Sequence, residues 1–202
     1  MNTTPPTDLR ALRRQLRAAR RAVPALQRRA AGVAIARLVA GRHWLRPGQR
    51  VALFLAMPEE IDTQPLLRLA QSRRCHVHVP RISDRRHGRM VFLPLAGPMG
   101  RGSFGIREPV GGRPLRASDL QLIFAPLVGF DDQGNRIGMG RGYYDRALAF
   151  RRRQTQRSAP QVVGVAYDCQ RVAQLPVQPH DVPLDAILTP GGLRRFTRPT
   201  SP

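Results

Sequence analysis

Apolar positions along the chain follow two rhythms, one helical and one of strands. From Asp8, the residues Leu9, Leu12, Leu16, Ala19 and Val23 recur at the spacing of a helix face, while Arg10, Arg13, Arg14, Arg17, Arg20 and Arg21 occupy the rest. Asp8 or Thr7 is placed to cap this helix. Pro24 suits the first turn of a second helix, carried through Leu26, Ala30, Val33 and Leu38 to about Ala40. The run Val51 to Met57 reads as a buried strand, and Thr63 or Asp62 can cap a third helix through Leu66, Leu67 and Ala70. Cys75 to Pro80 alternates as a strand does, and Met90 to Leu93 is another short one. Residues 97–114 are a long connection rich in glycine and proline, in which Phe104 to Pro109 could line a site. Arg151 to Pro160 reads as a basic polar linker, Gln161 to Tyr167 as a strand, and Leu184 to Thr189 as the last strand. Strands alternating with helices predict an α/β fold: a single three-layer domain over residues 1–202 with a mainly parallel central sheet flanked by helices. Residues 1–7 and 191–202 are expected to be flexible.

The chain is organised around Leu120 to Phe150. An apolar run rich in β-formers leads into Asp131 to Gly142, which holds four glycines, and then Tyr144 and Leu148 restart a helical spacing. A strand, a glycine-rich loop and a helix in this order can turn backbone N–H groups toward an anion. The loop lacks the dinucleotide spacing, and it is no P-loop because that motif needs a lysine and this chain has none. Glycines that merely permit a tight turn are the competing explanation. Arg136 and Arg141 favour phosphate, whose oxygens a guanidinium matches two at a time. Asp145 adds a carboxylate where Mg²⁺ could bridge protein and phosphate. Glu59, Glu60 and Asp62 cluster after the strand ending near Met57, at the edge where open α/β sheets bind ligands, although capping alone would account for Asp62.

Charge changes the picture less than its size suggests. The formal net charge is +21, and every one of the 34 basic residues is arginine. The arginines are dispersed and aromatics make up 5%, so stacking platforms for single-stranded nucleic acid are scarce. Attraction for small polyanions is the better use of such a field. Twelve arginines against one acid before Glu59 resemble a presequence, but the first serine is Ser72, which argues against one. No apolar run is long enough to span a membrane. Cys75 and Cys169 have no CxxC partner and read as free thiols of a reducing compartment, so a cytoplasmic protein is expected. His76 and His78 share a strand face and could ligate a metal, but with no third ligand nearby a structural role is favoured.

With these residues placed, the sequence resembles the 5-formyltetrahydrofolate cyclo-ligase family over roughly Leu9 to Thr189. The resemblance rests on Pro126-Leu-Val-Gly-Phe-Asp131 and on Gly134-Asn-Arg136-Ile-Gly138-Met-Gly140-Arg-Gly142-Tyr-Tyr-Asp145-Arg. Supporting it are Glu60-Ile-Asp-Thr63, Val79-Pro-Arg81, Glu108-Pro109, Leu175-Pro and His180-Asp181. It implies an enzyme that uses ATP and Mg²⁺ to close 5-formyltetrahydrofolate to 5,10-methenyltetrahydrofolate, releasing ADP and phosphate. Carried over by position, it implies ATP contacts at Arg10, Arg13, Arg136, Ile137, Gly138, Met139, Gly140, Arg141, Gly142, Tyr143 and Tyr144. Substrate contacts fall on Arg13, Met57, Asp62, Met139, Gly140, Arg141, Gly142 and Tyr143, and Mg²⁺ ligands on Asp145 and Asp181. Catalysis is expected to rest on Arg136, Arg141 and Asp145 by positioning and charge neutralisation. Loss of Asp145 to alanine is expected to cut turnover about a hundredfold without unfolding the chain. The family commonly has a lysine where this chain has Leu9, and a lysine or glycine at Arg141. The implied partners are ATP and a reduced folate, with no membrane or nucleic acid and a monomeric state. Two rivals are a relative that keeps the ATP loop but acts on another small substrate, and a basic nucleic-acid-binding protein.

Overall fold

The computed structural model describes residues 8–102, 107–152 and 159–197. The first helix, α1 (Leu9–Ala22), starts where the Asp8 carboxylate accepts the Arg10 N–H at 2.8 Å. Thr7, the other candidate cap, lies outside the described residues. The second helix, α2 (Ala25–Ala40), follows Pro24, which holds the N-cap position. Its buried face is Ala31, Gly32, Ile35 and Val39, so Leu26 and Val33, expected inward, are exposed. Apolar residues surround this helix, and close packing chooses the face. A Cβ at Gly32 would fall 2.4 Å from the Asp62 carbonyl oxygen, so α2 reaches the start of the next helix only through a glycine. That helix is α3 (Gln64–Ser72). Thr63 holds its N-cap position, but its hydroxyl donates to Phe54 O at 2.7 Å, and the Asp62 carboxylate instead accepts Gln64 N–H at 2.9 Å.

The strands are β1 (Arg50–Ala52), β2 (His76–Asp84), β3 (Arg89–Pro94), β4 (Met99–Arg101), β5 (Arg107–Pro109), β6 (Leu122–Pro126), β7 (Gly129–Phe130), β8 (Arg136–Ile137), β9 (Gln161–Val165), β10 (Ala186–Thr189) and β11 (Gly192–Arg195). A seven-stranded sheet has the order β11-β10-β9-β6-β1-β2-β3. The five inner strands are parallel, and β3 and β11 pair antiparallel at the two edges. The mainly parallel α/β sheet expected from the sequence is therefore present. Four local readings change. The ladder of β1 stops at Ala52, before the chain turns toward the acidic segment. The connection 97–114 contains the β4–β5 hairpin, and Phe104 to Ile106 within it lie outside the described residues. The tail after Pro190 is partly ordered, because Gly192–Arg195 doubles back on β10 as an edge strand. Arg151, read as part of a linker, is buried and pairs with Asp185 at 2.6 Å.

One face of the sheet packs on α2 and α3 through Val51, Leu53, Val77, Phe124, Val163 and Leu188. The other carries Ile123, Ala125, Val162 and Ile187 against Leu148, Val182 and Leu184. A third cluster joins Leu16 of α1 to Val128, Ile137 and Leu175. These clusters make three layers, with α1 laid across the carboxyl end of β6. No helix among the described residues is long and apolar enough to cross a membrane.

Candidate active site

The parallel strands run β2-β1-β6-β9-β10 in space, so the chain leaves β1 toward one side and returns to β6 on the other. Ligands in open α/β sheets bind outside the carboxyl ends of the strands at such a switch. A cavity of about 330 Å³ lies there. Phe54, Leu55 and Met57 after β1, and Pro126, Leu127 and Val128 at the end of β6, form its floor. Pro80 and Ile82 of β2 and Met90 of β3 add an apolar wall, and Glu60 and Glu108 place carboxylates at its margin. The opposite wall is Arg136, Gly138, Met139, Arg141, Gly142, Tyr143, Tyr144 and Asp145.

The segment expected to be one loop is two structures. Residues 131–135 form the turn of the β7–β8 hairpin, built on the fully buried Asp131. One Asp131 oxygen accepts the Gln133 and Asn135 N–H groups, and the other accepts Asn135 Nδ2 and Leu175 N–H. The second structure is the true glycine loop, Gly138 to Gly142. It ends with Gly142 at φ +64° as the cap of α4 (Tyr143–Ala147). Only five residues long, α4 has too few aligned peptides for a useful macrodipole, contrary to the sequence expectation of a longer helix. An anion here would have to be held by side chains and loop amides.

Arg136 is buried, and its guanidinium meets Asp145 at 2.6 Å while lying 5.8 Å from the Tyr144 ring centroid. Among the described residues, its Nε and the Tyr144 hydroxyl are buried with no hydrogen-bond partner, so both are candidates to serve a ligand. Burial pushes the Tyr144 phenol well above its usual range, which keeps the hydroxyl a donor. From α1, Arg13 Nε donates to Gly138 O at 3.0 Å and its guanidinium lies against Gly140. Arg20, read from the sequence as part of a solvated basic face, is buried. It meets Glu59 at 3.1 Å and Glu60 at 3.3 Å and reaches Leu127 O at 3.5 Å. This clasp ties α1 to the two chain segments that floor the cavity. Arg20 follows Leu9, Leu12 and Leu16 at helical spacing, so the signal for its inward position was present.

Glu60 also accepts the Met57 N–H at 3.0 Å. Burial pushes its carboxyl above the usual value, outweighing Met57 N–H and Arg20. A raised folded pKa means that protonating Glu60 favours the folded state. Its contribution to stability grows as pH falls through the folded pKa and shrinks as pH rises. Glu60→Gln should therefore change stability at neutral pH by no more than about 1 kcal/mol. Thermal melts of wild type and variant should converge toward acid, and a carboxyl resonance titrating below 4.5 would refute the reading.

The sequence-derived residues separate into three groups. Met57, Arg136, Gly138, Met139, Arg141, Gly142, Tyr143, Tyr144 and Asp145 share the cavity wall. Arg13 lies against Gly140 of the loop, neither of them in the lining, and Ile137 is buried against Leu16 in the third cluster. Arg10, Asp62 and Asp181 are not part of the lining. Arg10 is exposed on α1, Asp62 caps α3, and Asp181 accepts Gln178 N–H in a turn beside His180. His76 is exposed, while His78 is buried and bonded at 2.9 Å to the His76 carbonyl. Among the described residues no three His, Cys, Asp or Glu side chains gather as a metal site. Cys75 and Cys169 are free thiols.

Against this geometry, the sequence model of the 5-formyltetrahydrofolate cyclo-ligase family matches residues 7–190. The chain belongs to the 5-formyltetrahydrofolate cyclo-ligase family. A 5-formyltetrahydrofolate cyclo-ligase of Escherichia coli K12 is 38% identical over 69% of this chain and 77% of its own length. That of Haemophilus influenzae is 34% identical over 88% of this chain and 95% of its own. The 5,10-methenyltetrahydrofolate synthetase of Aquifex aeolicus superposes with a TM-score of 0.78 at 28% identity, covering 95% of this chain and 94% of that one. Within this cyclo-ligase scaffold, Ile82, Met90 and the Arg20 clasp are the site features that motif reading passed over, whereas Glu60 and Glu108 fall in segments already read as able to meet a ligand. They come from segments remote from the glycine loop.

Proposed function

We propose that the protein uses ATP to cyclise 5-formyltetrahydrofolate to 5,10-methenyltetrahydrofolate, in the cavity between the glycine loop and the ends of β1 and β6. The observation that carries this is the division of the cavity. One wall is cationic and glycine-rich and fits a nucleotide phosphate. The floor and far wall are apolar and suit a flat heterocycle.

The chemistry asks for positioning and charge neutralisation. The formyl oxygen attacks the γ-phosphorus, the bond to ADP breaks, and the phosphorylated oxygen activates the formyl carbon to which it is bound. N10 then attacks that carbon, the C–O bond breaks, inorganic phosphate leaves and the N10 proton is released. Arg136 and Arg141 with the loop amides hold the transferring phosphoryl group and offset its charge. Arg13 braces the loop through Gly138 O. The Tyr144 hydroxyl supplies a fixed donor, and the apolar floor keeps water from competing with the formyl oxygen.

A magnesium ion fits this reading as part of the nucleotide complex. Mg²⁺ is usually held by one or two carboxylates together with substrate phosphates, and the cavity offers Asp145 beside two arginines. When bound, it would neutralise phosphate charge. Asp181 lies outside the lining and is given no part. The same reading places a monomeric enzyme in the cytoplasm with small-molecule substrates.

The test mixes purified protein with ATP, Mg²⁺ and 5-formyltetrahydrofolate and follows product by its near-ultraviolet absorbance. Product that requires both ATP and Mg²⁺ is expected. No product in the complete mixture, with ATP still bound, would overturn the choice of substrate.

A further inference from the structure

We infer that Arg146 is a positioning residue that locks the glycine loop to the β2–β3 turn and thereby sets ATP affinity. This rests on the assignment of that loop to the nucleotide. Arg146 is in α4, just past the cavity wall, and is not part of the lining. Its Nε donates to Gly88 O at 3.0 Å, and a second guanidinium nitrogen donates to Arg141 O. The guanidinium also stands 5.8 Å from the Tyr143 ring centroid, and a Cβ at Gly142 would come within 3.0 Å of it. One planar fork therefore touches Arg141, Gly142 and Tyr143, three consecutive residues of the nucleotide wall, and Gly88 across the cavity's rim.

The far anchor is built to receive it. Gly88 sits in the turn between β2 and β3 at φ +61° and is buried. A Cβ there would lie 1.9 Å from an Arg146 nitrogen, so any side chain would evict the guanidinium. The turn is held by Asp84, whose carboxylate accepts the Arg86 and His87 N–H groups at 2.8 and 3.0 Å and meets the His87 ring at 2.6 Å. The strands that leave this turn carry Pro80, Ile82 and Met90, the apolar wall of the same cavity. Arg146 is thus the clasp between the wall assigned to phosphate and the wall assigned to folate. A lysine could not replace it, because a single ammonium lacks the fork that spans two carbonyls.

The test compares Arg146→Gln, Arg146→Lys, Gly88→Ala and the double variant Arg146→Gln/Gly88→Ala. Losing a bonded charged group on this scale corresponds to about a tenfold change in affinity. KM for ATP is expected to rise about tenfold in each single variant, with KM for 5-formyltetrahydrofolate changing less than about twofold; melting temperature should be nearly unchanged in the Arg146 variants and lower in Gly88→Ala, whose backbone lies at φ +61°. Because both sites disable one contact, the double variant should be no worse than either single one. An unchanged KM for ATP in Arg146→Gln and Gly88→Ala, or additive effects in the double variant, would overturn the inference. So would full rescue by lysine. Direct titration of each protein with MgATP separates this result from the substrate assignment. A wild type that binds ATP without turning over folate would refute the reaction, while weakened ATP binding in the variants would still support the clasp.

Discussion

Asp145→Asn is expected to turn over about a hundredfold more slowly than wild type while losing less stability than Asp145→Ala. Asparagine keeps the shape of the side chain and can still accept the 2.6 Å hydrogen bond from Arg136. It removes the negative charge that holds Arg136 in place and that would face the metal–phosphate complex. Losing one preorganised electrostatic contact at a reacting centre costs roughly 3 kcal/mol in the barrier, or about two orders of magnitude in rate. The alanine variant is the wrong one to rely on. The structure corrects the expectation that it would leave folding untouched, because the Arg136 side chain is only 3% exposed. Stripping its partner would leave a buried cation uncompensated, at a cost of roughly 3 kcal/mol in stability. The pair of variants therefore separates chemistry from folding: both should be slow, and alanine, which lacks even the hydrogen-bond acceptor, should melt earlier than asparagine. Turnover of Asp145→Asn at the wild-type rate, read from product absorbance under saturating ATP, would remove Asp145 from the mechanism.

Arg20→Met should destabilise the fold strongly. Arg20 is 2% exposed and faces two carboxylates and the Leu127 carbonyl. Breaking a buried ion-pair network by removing one partner typically costs about 3–5 kcal/mol. The lower end, about 3 kcal/mol, is expected because Arg17 stays 3.7 Å from Glu59 and Glu60 can take up a proton. For a chain of this length that lowers the melting temperature by about 10 °C. Adding Glu60→Gln should recover part of the loss, since it removes the carboxylate left unpaired. The measurement is a thermal melt of the two single variants and the double. A double variant that melts as low as Arg20→Met would show that Glu60 is not coupled to Arg20.

The arginine load reads differently in light of the fold. Arg20, Arg136 and Arg151 are buried and each meets a carboxylate, and Arg171 and Arg194 share Asp132 at the surface. Part of the charge therefore serves internal structure, and Arg13 and Arg146 act on the glycine loop through carbonyl oxygens. Arginine suits such places because its planar fork donates in several directions and cannot lose its charge.

What the sequence determined by itself was local and periodic. Leu9, Leu12 and Leu16 define α1, Asp8 begins it, and the apolar run after Leu120 specifies a central strand, since each depends on neighbours a few residues apart. The motif around Arg136 to Asp145 likewise placed one wall of the cavity, because its nine-residue spacing brings the ion pair together across the glycine loop. What only the tertiary structure decided was which distant segments meet. The capping role of Asp62 was legible beside Thr63, but only the fold shows Glu60, two residues earlier, meeting Arg20 of α1 at the cavity. The face that α2 buries follows from Gly32 touching the Asp62 carbonyl, a contact between segments thirty residues apart. Gly88 looks like an ordinary turn residue until Arg146, fifty-eight positions on, is laid against it. Pairings of this kind depend on strand order and close packing, which the alternation of apolar and polar residues along a single chain does not encode.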